Sequence, residues 1–98
     1  MDYNLIIKPD AEKDIDEALE WYKSQGEKLP LQLLDSLHTV FSKIQNHPEH
    51  YQKRYKNTRV IFTKKFPYAV YFTLENETVF IHAVLHNKQN PENVGKRN

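Results

Sequence analysis

The residues of this chain that can do chemistry gather in its second half. Arg54, Tyr55, Lys56, Arg59, Lys64, Lys65, Tyr68, Tyr71, His86 and Lys88 form a basic and aromatic set. Lysine and arginine neutralise phosphates, and the exposed ring faces of tyrosine stack on unpaired bases. RNA can also be cut without a metal. A general base activates the ribose 2′-OH, and a cation stabilises the charge growing on the phosphate. In that chemistry His86 is the candidate base and Arg59 or Lys88 the candidate cation, provided that strand ends bring them together.

Other chemistries find no support. The only glycines are Gly26 and Gly95, so there is no glycine-rich phosphate loop, and no cofactor is expected. His47 and His50 are separated by Pro48, which makes a metal pair improbable, and no metal site is expected. Ser24, Ser36 and Ser42 fall on predicted helices, outside any nucleophile-elbow context. There is no cysteine, hence no disulfide, thiolate ligand or thiol nucleophile, as suits a reducing cytoplasm. The start "MDYNLIIKPDAEKD" lacks the basic and long apolar regions of a signal peptide, and no run approaches the length of a membrane span. The expectation is a soluble, cytoplasmic protein that contacts no membrane.

Charge is uneven along the chain. Residues 1–50 hold ten acids and five bases, a balance of −5, whereas residues 51–98 hold three acids and nine bases, a balance of +6. "YQKRYKNTRVIFTKK" carries six of those bases and no acid. Such asymmetry suggests a side facing a polyanion, and a solvated basic face is the ordinary alternative. Ordinary readings stand beside the others too. His86 at a strand end can be solvated or hydrogen-bonded, and His82 reads as a core or sheet-face residue. Trp21 and Tyr22 read as helix–sheet packing. Lys64 and Lys65 can keep an edge strand or turn soluble.

The elements that must position these residues follow from periodicity. "YNLIIK" is a β-rich run, and Pro9 and Asp10 open a helix. Ala11, Ile15, Ala18, Leu19 and Tyr22 form its apolar stripe, and Gly26 is the expected C′ residue. Pro30 opens a second helix with Leu33, Leu34, Leu37, Val40, Phe41 and Ile44 on one face, ending before Pro48. The short link predicts an antiparallel helical hairpin. After the polar connection "NHPEHYQKRYKN" the period becomes two. "RVIFT", "YAVYFTL" and "TVFIHAVLH" read as strands, the last two joined by a tight turn at Glu75-Asn76-Glu77. In the last strand, alternation puts Val79, Ile81, Ala83 and Leu85 on one face and Phe80, His82, Val84 and His86 on the other. The predicted fold class is α+β, order β-α-α-β-β-β, a two-helix hairpin on a small, mostly antiparallel sheet whose other face stays partly open. A single domain is expected over residues 1–98, with a polar tail from about residue 87 that frays at its end.

Arg59, "KKFPYAVYF" (64–72) and the hairpin into "VFIHAVLHNKQNP" (79–91), preceded by two helices, resemble the RelE/ParE superfamily of toxins from type II toxin–antitoxin modules. The resemblance spans nearly the whole chain and is closest to the ParE-like, plasmid-stabilisation branch. It implies a toxin, inhibitory to growth, that is held inactive by a cognate antitoxin whose segment folds onto it as a helix or strand. ParE-like members poison DNA gyrase by binding, and RelE-like members cut messenger RNA on the ribosome.

Residue by residue, the resemblance implies target contacts at Arg59, Lys64, Lys65 and Lys88. His86 would be catalytic only in a ribonuclease. Gln89 stands where the ParE-like pattern has a second basic residue, and Asn87 where it commonly has a glycine. Against the RelE-type nuclease, Ala69 replaces an arginine, Asn87 lies near the lost basic position, and the tail has no tyrosine. The leading expectation is a toxin that binds its target, with gyrase favoured, and is no enzyme. The alternatives are a metal-independent ribosome-dependent endoribonuclease and a degenerate member that only binds antitoxin.

Overall fold

The computed structural model describes residues 3–91 and 94. Helix α1 (Pro9–Lys23) begins with proline in its first turn, where a missing N–H costs no intrahelical bond. Asp10 and Glu12 near its start and Lys23 near its end complement the helix dipole. Ala11, Ala18 and Tyr22 are buried, and Ile15 and Leu19 pack beside them. The cap is Ser24, whose hydroxyl donates to the Trp21 carbonyl at 2.6 Å. Gly26 therefore lies two residues past the cap, and its φ is not positive. The stop comes from the serine and from backbone bonds to Tyr22, not from a left-handed glycine. Trp21 departs from expectation as well. It is 57% exposed, its edge against Tyr22, because it sits one position off the buried stripe.

Helix α2 (Leu29–Asn46) buries Leu33, Leu37, Val40 and Ile44 and packs antiparallel to α1 through the short link. A single 3-10 turn (Pro48–His50) follows.

Five strands make one sheet: β1 (Asn4–Ile7), β2 (Lys53–Tyr55), β3 (Thr58–Phe62), β4 (Tyr68–Glu75) and β5 (Thr78–His86), in spatial order β1-β5-β4-β3-β2. β1 runs parallel to β5, and every other pair is antiparallel. Strand β2 lies inside the segment expected to be a polar connection. All three of its residues are exposed, so it has no buried alternation to betray it. Its hairpin with β3 turns at Lys56, which has a φ of 51°.

The alternation expected for β5 breaks in its middle. Tyr71 pairs with Ala83 but Phe72 with Ile81, so His82 is an extra residue, a β-bulge. Val79, Ile81 and Val84 thus join Val70 and Phe72 under the helices, while Ala83 and Leu85 turn to the far face with Ala69 and Tyr71. Asp14 of α1 answers the irregularity, since its carboxylate accepts the Val84 backbone N–H at 3.0 Å. Period-two reading cannot see one inserted residue, and every position after it flips.

The far face is also less open than expected. Val94 is 1% exposed and packs with Ala69, Tyr71, Ala83 and Leu85, with Val60 beside them. The polar tail thus seats one valine on the sheet; its residues 92, 93 and 95–98 lie outside the described residues. No helix among the described residues is long and apolar enough to cross a membrane.

Candidate target-binding site

The stretch that ends β5 is a closed turn. The Asn87 N–H donates to the Pro67 carbonyl at 2.8 Å, which ties the turn to the entrance of β4. The His86 N–H donates to Gln89 Oε1 at 2.7 Å, and the Gln89 N–H returns to the His86 carbonyl at 2.8 Å. The neutral residue at position 89 therefore has a structural task that a lysine or arginine, having no acceptor, could not perform.

His86 is half-buried, its ring edge-on to Tyr68 with centroids 5.4 Å apart. Its Nδ1 accepts the Lys88 backbone N–H at 3.1 Å. That bond occupies the Nδ1 lone pair, which is therefore not free to take a proton from a 2′-OH. Burial, and then the neighbouring Tyr22, raise the pKa of the Tyr68 phenol. Lys88 is exposed next to this turn.

Arg59 does not converge on His86. In register it faces Phe72, whereas His86 faces Tyr68, and β4 lies between their strands. That places them two strand spacings, about 10 Å, across the sheet and about 13 Å along it. The Arg59 guanidinium instead donates to the carbonyls of Tyr51 at 2.7 Å and Glu49 at 3.4 Å, holding the 3-10 turn against the sheet.

Lys64 and Lys65 are exposed on the β3–β4 connection. Thr63 fixes that loop, its buried hydroxyl donating to the carbonyls of Phe66 and Tyr68. The two lysines line a groove of about 240 Å³ against α2, together with Lys43, Ser36, Thr39 and Phe62. Sequence reading missed Lys43, since a lone lysine on an exposed helix face gives no signal, and it took Phe62 only as a strand residue. Phe62 is 51% exposed. β2 pairs only with Thr58 and Arg59, so the outer edge of β3 from Val60 to Phe62 has no strand partner among the described residues.

Of the tyrosines, Tyr68 and Tyr71 are buried and offer no stacking platform; burial, and then the neighbouring Tyr55, raise the Tyr71 pKa against a lowering by Arg54. Tyr55, Arg54 and Lys56 remain exposed at the β2 hairpin. His82 is a sheet-face residue as expected, its Nε2 2.8 Å from Thr73 Oγ1. His47 and His50 stack edge to face, and no group of three metal-ligating side chains occurs among the described residues.

This architecture has known counterparts. The family model "ParE toxin of type II toxin-antitoxin system, parDE" matches residues 5–91. A structure of the chromosomal ParDE toxin–antitoxin system from P. aeruginosa is similar with a TM-score of 0.76 at 14% identity, covering 86% of this chain and 95% of that one. The RelBE2 toxin–antitoxin complex from Mycobacterium tuberculosis superposes with a TM-score of 0.58 at 15% identity over 88% of this chain and 99% of that one. A free-state mutant of the E. coli toxin RelE gives 0.62 at 18% identity, over 99% of this chain and 94% of its own. None of the curated proteins matches the sequence. The helical hairpin, the sheet and the family match over 5–91 together make this chain a member of the ParE toxin family of type II toxin–antitoxin systems, within the RelE/ParE superfamily.

Proposed function

We propose that this toxin acts in the cytoplasm by binding its target, with DNA gyrase favoured, and that a cognate antitoxin neutralises it. One observation carries the preference for binding over cleavage. The far-face position where a RelE-like nuclease would hold an arginine is Ala69, 1% exposed in an apolar cluster with Val94. A cation cannot approach a scissile phosphate from there. The engaged Nδ1 of His86 and the distance to Arg59 point the same way.

Target contact is assigned to Lys64, Lys65 and Lys88, which are exposed, with Lys43 beside the first two. Arg59 supports this surface by bracing the segment from Glu49 to Tyr51. For the antitoxin, the β3 edge from Val60 to Phe62, which has no strand partner among the described residues, and the exposed Phe62 are the landing place, since strand addition satisfies backbone groups and buries an apolar anchor together.

The test is induced expression of the chain alone in a bacterial host, following growth, chromosome integrity and transcript ends together. Arrest with broken DNA and whole transcripts is the expected result. Arrest with ribosome-dependent transcript cuts would establish the nuclease. Unimpaired growth with soluble, folded protein would mark a degenerate member that only binds antitoxin.

A further inference from the structure

The far face of the sheet has a second polar region, remote from the His86 turn. Its centre is the Thr73–Phe80 pair, five residues along β4 from the Tyr68–His86 pair, or about 17 Å at strand rise. The apolar cluster under Val94 lies between the two. Here a cleft of about 390 Å³ opens, lined by Lys8, Asn57, Thr73, Glu75, Phe80 and His82. That is the volume of a small-molecule site.

Its floor and walls differ in kind. Thr73 and His82 are 8% and 6% exposed and hydrogen-bonded to each other at 2.8 Å, so the floor is a buried polar pair. Phe80 forms an apolar wall, with the Lys8 ammonium 5.7 Å from its ring centroid. Lys8 follows the β1 residue paired with Ile81, and Glu75 is paired with Thr78 across the neighbouring strand. The two opposite charges therefore stand at opposite ends of the cleft, with backbones about 10 Å apart across the sheet and about 10 Å along it. No ion pair joins them or ties either to another described residue.

A cleft with a cation at one end and an anion at the other fits a dipolar occupant. The Lys8 end takes an anionic group, strengthened by low surrounding polarity at the Phe80 face. The Glu75 end takes N–H donors and repels a second phosphate, which argues against a polynucleotide. Between them the Thr73–His82 pair meets hydroxyl groups and Phe80 meets a planar or apolar body. We infer that this cleft binds a small molecule with one anionic end and one N–H donor end, of the class of a nucleoside monophosphate bearing an exocyclic amino group. A short zwitterionic peptide shares the terminal chemistry but lacks the planar body and hydroxyls. This site stands apart from the toxin reading above and does not depend on the target.

Amide NMR of the full chain, titrated separately with AMP, CMP, UMP and triglycine, tests the assignment. AMP and CMP should shift the signals of Thr73, Phe80 and His82, and UMP, without an exocyclic amine, should do so more weakly. Lys8→Ala should raise the Kd for CMP about tenfold, the loss of one charge-assisted contact. Glu75→Gln should shrink the preference for CMP over UMP, and the spectrum reports whether either variant stays folded. No shift with AMP or CMP at millimolar concentration, or shifts with triglycine alone, would overturn it. Binding is read on the isolated chain, so failure here leaves the toxin reading untouched.

Discussion

The two ends of the β4–β5 hairpin are built from similar residues and end up unlike each other. At the His86 end a tight turn uses its own polar groups internally, and an apolar cluster under Val94 covers the adjoining far face. At the Thr73–His82 end the far face stays polar and open, with Lys8 and Glu75 at its margins. The bulge at His82 separates the two regimes. Before it, β5 sends Phe80 to the far face; after it, Ala83 and Leu85 go there. A histidine at a strand end, the residue type that invites a catalytic reading, is here engaged in holding a turn, while a mid-strand histidine lines an open cleft.

Breaking the core beneath both ends should have the largest effect. Phe72 is fully buried and meets Tyr51 edge-on at 6.1 Å. Phe72→Ala should cost about 3–5 kcal/mol in urea unfolding, and both ends should loosen together. Val94→Ala should act on one end only. Removing two buried methyl groups costs about 1.5 kcal/mol, and hydrogen exchange should quicken at Ala69 and Leu85 but not at Thr73.

Gln89→Lys sharpens the comparison further. It restores a cation that the family pattern favours but removes the acceptor for the His86 N–H, and should cost about 1 kcal/mol. Gln89→Glu keeps the acceptor and should retain stability. Denaturant midpoints of the two variants decide whether this residue is held for the turn.

The smallest effect is a pH dependence. Tyr68 and Tyr71 have pKa values raised by burial above the ordinary 10.0. As pH rises past 10 the unfolded chain ionises these phenols first, so stability is complete below that pH and falls between the unfolded and folded pKa values. Tyr68→Phe and Tyr71→Phe should each flatten the decline in melting temperature above pH 10.

Much of this was legible in the sequence. The stripes Ala11–Ala18–Tyr22 and Leu33–Leu37–Val40–Ile44 placed both helices, and β5 was read over its full span, because helical and strand periods each persisted for several residues. Strand β2 escaped because all of it is exposed, and the faces of β5 were misassigned because an inserted residue leaves no trace in a run that is apolar on both sides. In the candidate site, Lys64, Lys65 and Lys88 were visible as charge. The bracing role of Arg59, the closure of the turn by Gln89 and the presence of Lys43 depend on contacts between distant segments, which spacing does not record.

The most direct test of binding rather than cleavage uses the purified chain with purified DNA gyrase on one side and programmed ribosomes on the other. The expected result is that gyrase supercoiling is blocked and cleaved DNA accumulates, that Lys64→Ala/Lys65→Ala weakens this at least about tenfold by removing two charge-assisted contacts, and that messenger RNA on ribosomes stays whole. Messenger RNA cut on the ribosome, lost in a folded His86→Ala variant, with gyrase unaffected, would contradict it.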